Sequence, residues 1–393
     1  MKFRSPILKI AEREFYRITD RKTLFLLSVI LPVFIFTFFA LIYKNEIVRD
    51  LPVGILDFDN SNTSKLITRY IEASSYLKIG GYYNNIEEIK AGIRSGKLQG
   101  AICFPYNMET DIKIGKPVAI TVFKNTVNLV VGNLILKDAS TIIKTVSGGV
   151  LLKKLKSKSM HSDKAYNIVN PIKIETKSLY NAHYSYLNYL VPGLLACLFQ
   201  MVIMLSGVLI ISSEFVHKTF HELVELSNKN VFAIVIGKSL PHIIFHLITT
   251  IAIIGVIFPI FNIHIAGSTI GLLVLFLFFI MASFFPAFMI SCLFHDQLFA
   301  TELALILNTP AFLFSGFTFP LPSMPFLHNI FADIIPFTHF LYAYLMIYQM
   351  GTPFSYIFNY LLILSVFIVV SLIVIIISLK KQMKNLKPIK TAA

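Results

Sequence analysis

Apolar residues along this chain fall into long runs separated by polar stretches. A bilayer core about 30 Å thick needs roughly 20 apolar residues per helix. Six segments meet that length: 23–43, 187–211, 239–261, 269–293, 298–319 and 356–379. Pro259 and Pro286 fall inside two of them, where neighbouring helices can satisfy the carbonyls that a proline frees. The run from Leu24 to Ile42 is longer than a signal-peptide core and no A-x-A site follows it, which predicts an uncleaved anchor.

Between the first two runs, residues 44–186 change to short strand and helix signals. Pro52–Phe58 reads as a buried strand, and Asn60-Ser-Asn-Thr offers caps for an amphipathic helix using Leu66, Ile67, Tyr70 and Ile71. A strand near 76–83, a helix over 85–96, strands at Gly100–Phe104 and Val118–Phe123, and a long helix over 126–158 follow. The order predicts a small α/β domain with parallel pairing. Asp57, Asp59 and Asn60 lack the glycine and terminal glutamate of a calcium loop, so strand-end and cap roles fit them better.

Composition supports the membrane reading: hydrophobic residues make up 55% and charged ones 14%, against roughly 25% charged in a soluble domain. The 141 residues from Ser239 to Leu379 hold no Lys or Arg, and their only acids are Asp296, Glu302 and Asp333. The net charge of +14 does not point to nucleic acid, because the bases flank the apolar runs or cover 44–186. Residues 1–22 carry seven Lys/Arg, the tail 380–393 five, the loop 212–238 three and the stretch 320–355 none. That bias predicts cytoplasmic termini, a cytoplasmic 212–238 loop and an extracytoplasmic 44–186 domain. The domain's own net charge of +8 reads as a solvated face near anionic lipid, with an anionic substrate or acidic partner as the second reading. The fold class is thus an α-helical integral membrane protein with six transmembrane helices and an inserted extracytoplasmic α/β domain.

Candidate chemistry is sparse. Cys103, Cys197 and Cys292 are far apart and give no disulfide framework or metal spacing. His217/His221 and His242/His246 each stand four apart, but no H-E-x-x-H frame or third ligand accompanies them, so packing roles are expected. Gly237-Lys238-Ser239 is not a phosphate loop, since the required first glycine is Phe232. No catalytic constellation and no metal site are predicted. Glu302 lies within an apolar span, where a carboxylate either faces a cavity or partner, or snorkels to the headgroups.

One block is distinctive: Ser213-Glu-Phe-Val-His-Lys-Thr-Phe-His-Glu-Leu-Val-Glu-Leu-Ser, then Gly237-Lys-Ser-Leu-Pro-His. It resembles the signature loop of type-2 ABC exporter permeases, where a coupling helix follows the second span and a Gly-Lys-x-x-Pro opens the third. Glu214, Thr219, Glu222, Leu223, Ser227, Gly237, Lys238 and Pro241 fit that pattern. Lys218 stands where the family usually has Gly, and Asn228 where it has Pro. Leu51–Ser61 is similar to the family's first outer strand and turn, and Ser315–Pro325 with Ile335–Phe340 to its outer re-entrant hairpin.

The resemblance implies a permease subunit of an ATP-binding-cassette exporter in a bacterial cytoplasmic (inner) membrane, with no cofactor on this chain and no ATPase of its own. ATP and Mg would sit on a cognate ABC ATPase subunit, docked through Glu214, Lys218, Thr219, Glu222, Leu223, Gly237, Lys238 and Pro241. The apolar stripe of Phe215, Phe220, Leu223 and Leu226 is expected to fill a groove on that partner. A second permease copy or paralogue would complete the path for a drug-like, lipidic or other small molecule. A periplasmic adaptor and an outer-membrane channel are further partners that the large outer domain suggests by analogy. Glu302, Gly316, Pro320, Pro325 and Pro336 are the candidate path and gate residues, the prolines lying in the hairpin 320–355 or its approach. The competing reading is a membrane-anchored receptor or secretion scaffold of the same one-plus-five layout.

Overall fold

The computed structural model describes residues 5–44, 48–157, 179–181 and 185–385. The boundary expected at 186 follows the partly described 179–185 stretch, and the end of the basic tail (386–393) lies outside the described residues. The chain forms two compact units, 1–46 with 178–393, and 47–177.

The first unit opens with α1 (Pro6–Asp20), an amphipathic helix whose buried side carries Ile10, Ala11, Glu14 and Ile18. Among the described residues, six helices are long and apolar enough to cross a membrane. The first is α2 (Lys22–Ile42), and the others are numbered after the inserted unit. They are α7 (Tyr186–Val216), α9 (Val231–Ile260), α10 (Thr269–Leu293), α11 (Gln297–Phe314) and α14 (Phe354–Lys384). The short α8 (Phe220–Leu226) follows α7. Helices α12 (Phe326–Asp333) and α13 (Pro336–Tyr348) form a pair bent by 81°, within the stretch 320–355 likened to a re-entrant hairpin.

Several boundaries differ from the sequence expectation. The third span starts at Val231, not near Ser239, because Asn230 caps it by accepting from the Phe232 N–H at 2.9 Å. Gly237 and Lys238 therefore lie two turns inside the helix and do not open it. The second span continues to Val216, so Glu214 belongs to its last turn. The fifth ends at Phe314, where Ser315 leads into Gly316 at a φ of 85°. α2 and α9 each contain a five-residue π turn, at Leu26–Ile30 and Ile253–Ile257.

At the centre, α10 packs against α7, α14 and α13. Aromatic rings fill the contact with α13: Phe279 stacks on Phe340 at a centroid distance of 3.8 Å, and Phe276 meets Tyr344 edge-on at 5.8 Å. α1 lies against α9, and α11 against α7.

The second unit holds a four-stranded sheet of order β2-β1-β3-β4. Its strands are β1 (Leu51–Asp57), β2 (Leu77–Tyr82), β3 (Gly100–Phe104) and β4 (Thr121–Lys124). β1 runs parallel to β2 and β3 as the element order predicts, whereas β4 is antiparallel to β3. Its described helices are α3 (Asn62–Glu72), α4 (Ile86–Arg94), α5 (Met108–Ile114) and α6 (Leu129–Ser157), of which the sequence reading lacked α5. Strand alternation sorts the two faces: Val53, Ile55, Ile102 and Phe104 pack with Ile67, Ile71 and Ile135, while Leu56, Ala101 and Cys103 pack with Ile89. Asp57 is a cap, accepting from the N–H groups of Asp59 and Asn60 at 3.0 and 2.9 Å and from Ser64 Oγ at 2.6 Å.

Candidate functional site

Three segments remote in sequence meet where α1 crosses the ends of α7 and α9, and they bring a set of charged side chains out of solvent. Glu14 and Lys238 are 0% and 1% exposed. Lys238 Nζ donates to Glu14 Oε2 at 2.6 Å and also pairs with Glu214 Oε1. Arg13 Nη2 donates to Glu214 Oε2 at 3.0 Å, and Thr219 Oγ1 donates to the same oxygen. Arg17 Nη1 lies 3.4 Å from Glu14 and 3.5 Å from Glu214, and its fork also donates to the Leu209 and Ile210 carbonyls. A carboxylate can only accept, so His242 Nε2 is the donor in its 2.9 Å contact with Glu14 Oε1. Glu222 reaches Arg13 at 3.7 Å from the rim.

Among the described residues the cluster balances itself: three carboxylates (Glu14, Glu214, Glu222) face three bases (Arg13, Arg17, Lys238). Taking a charge from water is expensive unless it is paired and hydrogen-bonded. Here each buried ion has at least two polar partners. Burial acts to raise the Glu14 carboxyl, but Lys238, Arg17 and the His242 hydrogen bond outweigh it and hold the group well below the usual carboxylate range.

The Gly-Lys-x-x-Pro spacing now has a physical reason. A Cβ on Gly237 would stand 2.7 Å from Ile10 Cβ and 3.1 Å from the Ile7 carbonyl oxygen, so glycine lets α1 approach α9. Lys238, the next residue, then reaches under α1. Pro241 has no N–H to give the Gly237 carbonyl one turn back, which loosens the helix at that contact.

Lys218, at the position where the family usually has glycine, has a φ of 58°, the left-handed region that glycine enters without strain. It makes the turn between α7 and α8. Lys218 and Glu222 are exposed, Glu222 at 67%. Leu223 is fully buried, with Phe220 and Val224 beside it in the core. This corrects the expectation that the α8 apolar stripe fills a groove on a partner: it is already packed inside this chain. What α8 and its flanks present outward is polar, chiefly His217, Lys218, Glu222, Glu225 and Lys229.

The cluster unites Glu214, Thr219, Lys238 and, through the α1 contact, Gly237 and Pro241. It does not include the path candidates. Glu302 is exposed on α11. Gly316 sits beyond that helix, where an added Cβ would come 2.6 Å from Tyr342 Oη. Pro320 and Pro325 flank a short 3-10 turn before α12, and Pro336 opens α13. The histidine pairs are occupied by protein contacts: His217 Nδ1 with the Ser213 carbonyl at 2.8 Å, His221 with Glu225 at 3.3 Å, and His246 with Ser206 at 2.9 Å. Sequence reasoning missed Glu14, Arg13, Arg17 and His242 as one site. The available signal was an acid, Glu14, four residues from both Ile10 and Ile18 on an apolar helix face.

Among known families, the model of the ABC-2 family transporter protein matches residues 22–377. No curated protein matches the chain significantly.

Proposed function

The chain belongs to the ABC-2 family transporter proteins, and on that premise we propose that it is the permease subunit of an exporter, with α8 and its flanks as the docking face for the ATPase. Membership makes it a multi-pass membrane transport component and implies a partner ATPase subunit. The observation that carries the docking assignment is the ionic cluster behind α8. Glu214 and Thr219 flank the α7–α8 turn, and Arg13 ties Glu222 of α8 to the buried ions. A push on α8 therefore moves charges that also hold α1 and α9. Because Leu223 is buried, the contact is polar, read through Lys218, Glu222 and Glu225.

The same reading has this face cytoplasmic in an inner membrane, with the 47–177 unit outside, in line with the Lys/Arg bias. It also has two copies form the path. Glu302 shares the exposed side of α11 with Leu298, Ile306 and Leu313. A carboxylate facing lipid is costly, and a second copy would cover it. ATP and its magnesium stay on the ATPase.

The test is co-purification of the ATPase with tagged full-length chain from native membranes. Glu222→Lys with Glu225→Lys should cut ATPase recovery at least about fivefold while membrane insertion is retained. Full recovery with that double variant, or no ATPase with the unaltered chain, would reject the docking assignment and favour a scaffold.

A further inference from the structure

A cavity of about 710 Å³ lies within the first unit, walled by α7, α10, α11, the α12–α13 pair and α14. Drug-sized ligands occupy sites of roughly 300–1,000 Å³. Most of the wall is apolar, including Met204, Pro286, Met289 and Leu303. Gln200 and Ser283 interrupt it, each 1% exposed. Gln200 Nε2 donates to Asn308 Oδ1 at 2.7 Å, but Gln200 Oε1 and Ser283 Oγ have no hydrogen-bond partner among the described residues. Buried polar atoms left unpaired are costly, so the cavity suits an occupant that brings a polar group to them.

Charge supplies the second observation. Asp333 lines the cavity at the α12–α13 bend and is an exposed residue. It belongs to the 141-residue stretch without Lys or Arg, and no cation stands within ion-pair distance of it among the described residues. Leu307 on α11 and Val366 and Val370 on α14 line the cavity and are exposed, so it opens sideways between those two helices. With α11 covered by a second copy, the α14 edge of that opening, at Val366 and Val370, is left to face lipid.

We infer that this cavity binds a hydrophobic organic cation taken from the bilayer. The apolar body lies along α10 and α14, and the positive charge is held by Asp333. This deepens the permease reading and rests on it only for the step from bound molecule to transported one. Binding itself is tested without transport.

Tetraphenylphosphonium and tetraphenylborate have the same shape and opposite charge, and they serve as probes on the purified full-length chain by equilibrium dialysis. Saturable phosphonium binding is expected, at least about fivefold tighter than borate, the scale of one exposed ion pair. Asp333→Asn should erase the preference while leaving apolar binding. Val366→Trp, at the exposed mouth, should abolish saturable binding of both, and its position facing outward keeps the fold intact. Equal affinity for the two ions, an unchanged preference in Asp333→Asn, or unchanged binding in Val366→Trp would overturn the inference. If Asp333→Asn behaves as expected but no ATPase accompanies the chain, the site stands and the permease reading falls.

Discussion

Lys238 and Glu14 stand 224 residues apart in sequence, yet their side chains meet at 2.6 Å, both out of solvent. Breaking a buried pair from one side strands the other charge and costs about 3–5 kcal/mol. Glu14→Gln and Lys238→Met should each lower thermal stability by that order, and the double variant by less than the sum. The chain has no Trp, but its three buried cysteines let a thiol-reactive dye report unfolding. Additive losses would show that the two residues act separately.

The same pair sets a pH response. Glu14 is held below its ordinary value of 4.5, so the unfolded chain takes up its proton first as pH falls. Its stabilising contribution is full above about 4.5 and declines below that, toward the lowered folded value. The difference in unfolding onset between the unaltered chain and Glu14→Gln, followed by light scattering, should be flat from pH 7 to about 5. It should shrink under more acid conditions. A difference that grows on acidification would contradict the ionic assignment.

Gly237→Ala tests the close approach of α1 to α9. The added Cβ must displace Ile10, an overpacking cost of about 1–3 kcal/mol. Ala11 is buried on the same helix, so a cysteine placed there should react slowly with maleimide. Gly237→Ala in that background should speed the reaction at least about fivefold, as local opening becomes more frequent. Unchanged protection would mean that α1 is held elsewhere.

Leu223→Asp separates packing from docking. A carboxylate at this fully buried, apolar-lined position should reduce recovery of folded protein from detergent, by about 3 kcal/mol or more. Glu225→Lys, on the exposed side of the same helix, should leave thermal stability within about 0.5 kcal/mol. If Leu223→Asp protein is as stable as the unaltered chain and only loses the ATPase, the burial of α8 is misassigned.

In the inserted unit, Asp57→Ala removes the acceptor for two backbone N–H groups and the Ser64 hydroxyl. Loss of such a cap costs roughly 1–2 kcal/mol, read as faster limited proteolysis of residues 48–157 in the full chain. Calcium should not slow proteolysis of the unaltered protein. Protection by calcium would return Asp57 and Asp59 to the role of cation ligands.

The six spans were legible because lipid demands about twenty apolar residues per helix, and little else has that length. The strands were legible through alternation and turn residues, although the direction of β4 was not. The start of α9 was misread because Lys238 looks like a solvated boundary residue. Only the carboxylates of Glu14 and Glu214 make it an interior one. For the same reason the sequence pointed to Glu214 and Lys238 through a family pattern but not to Glu14, which lies before the first span. Contacts between such distant segments leave no spacing signal. Leu223 was read correctly as apolar and assigned to the wrong partner, since periodicity tells that a face is covered but not by what.

The spread of this cluster along the chain also orders its assembly. α1 leaves the ribosome before α7 and α9, and Glu14 then waits for Glu214 and Lys238, which are only 24 residues apart. At about 5–20 residues per second, synthesis of the intervening chain takes roughly 10–45 s. During that interval the apolar side of α1 lacks α9 as its cover, and a quality-control protease would meet an early chain whose Glu14 has no Lys238 to hold. Completion of the third span is thus the event that locks α1 in place, and chains truncated before Lys238 should be short-lived.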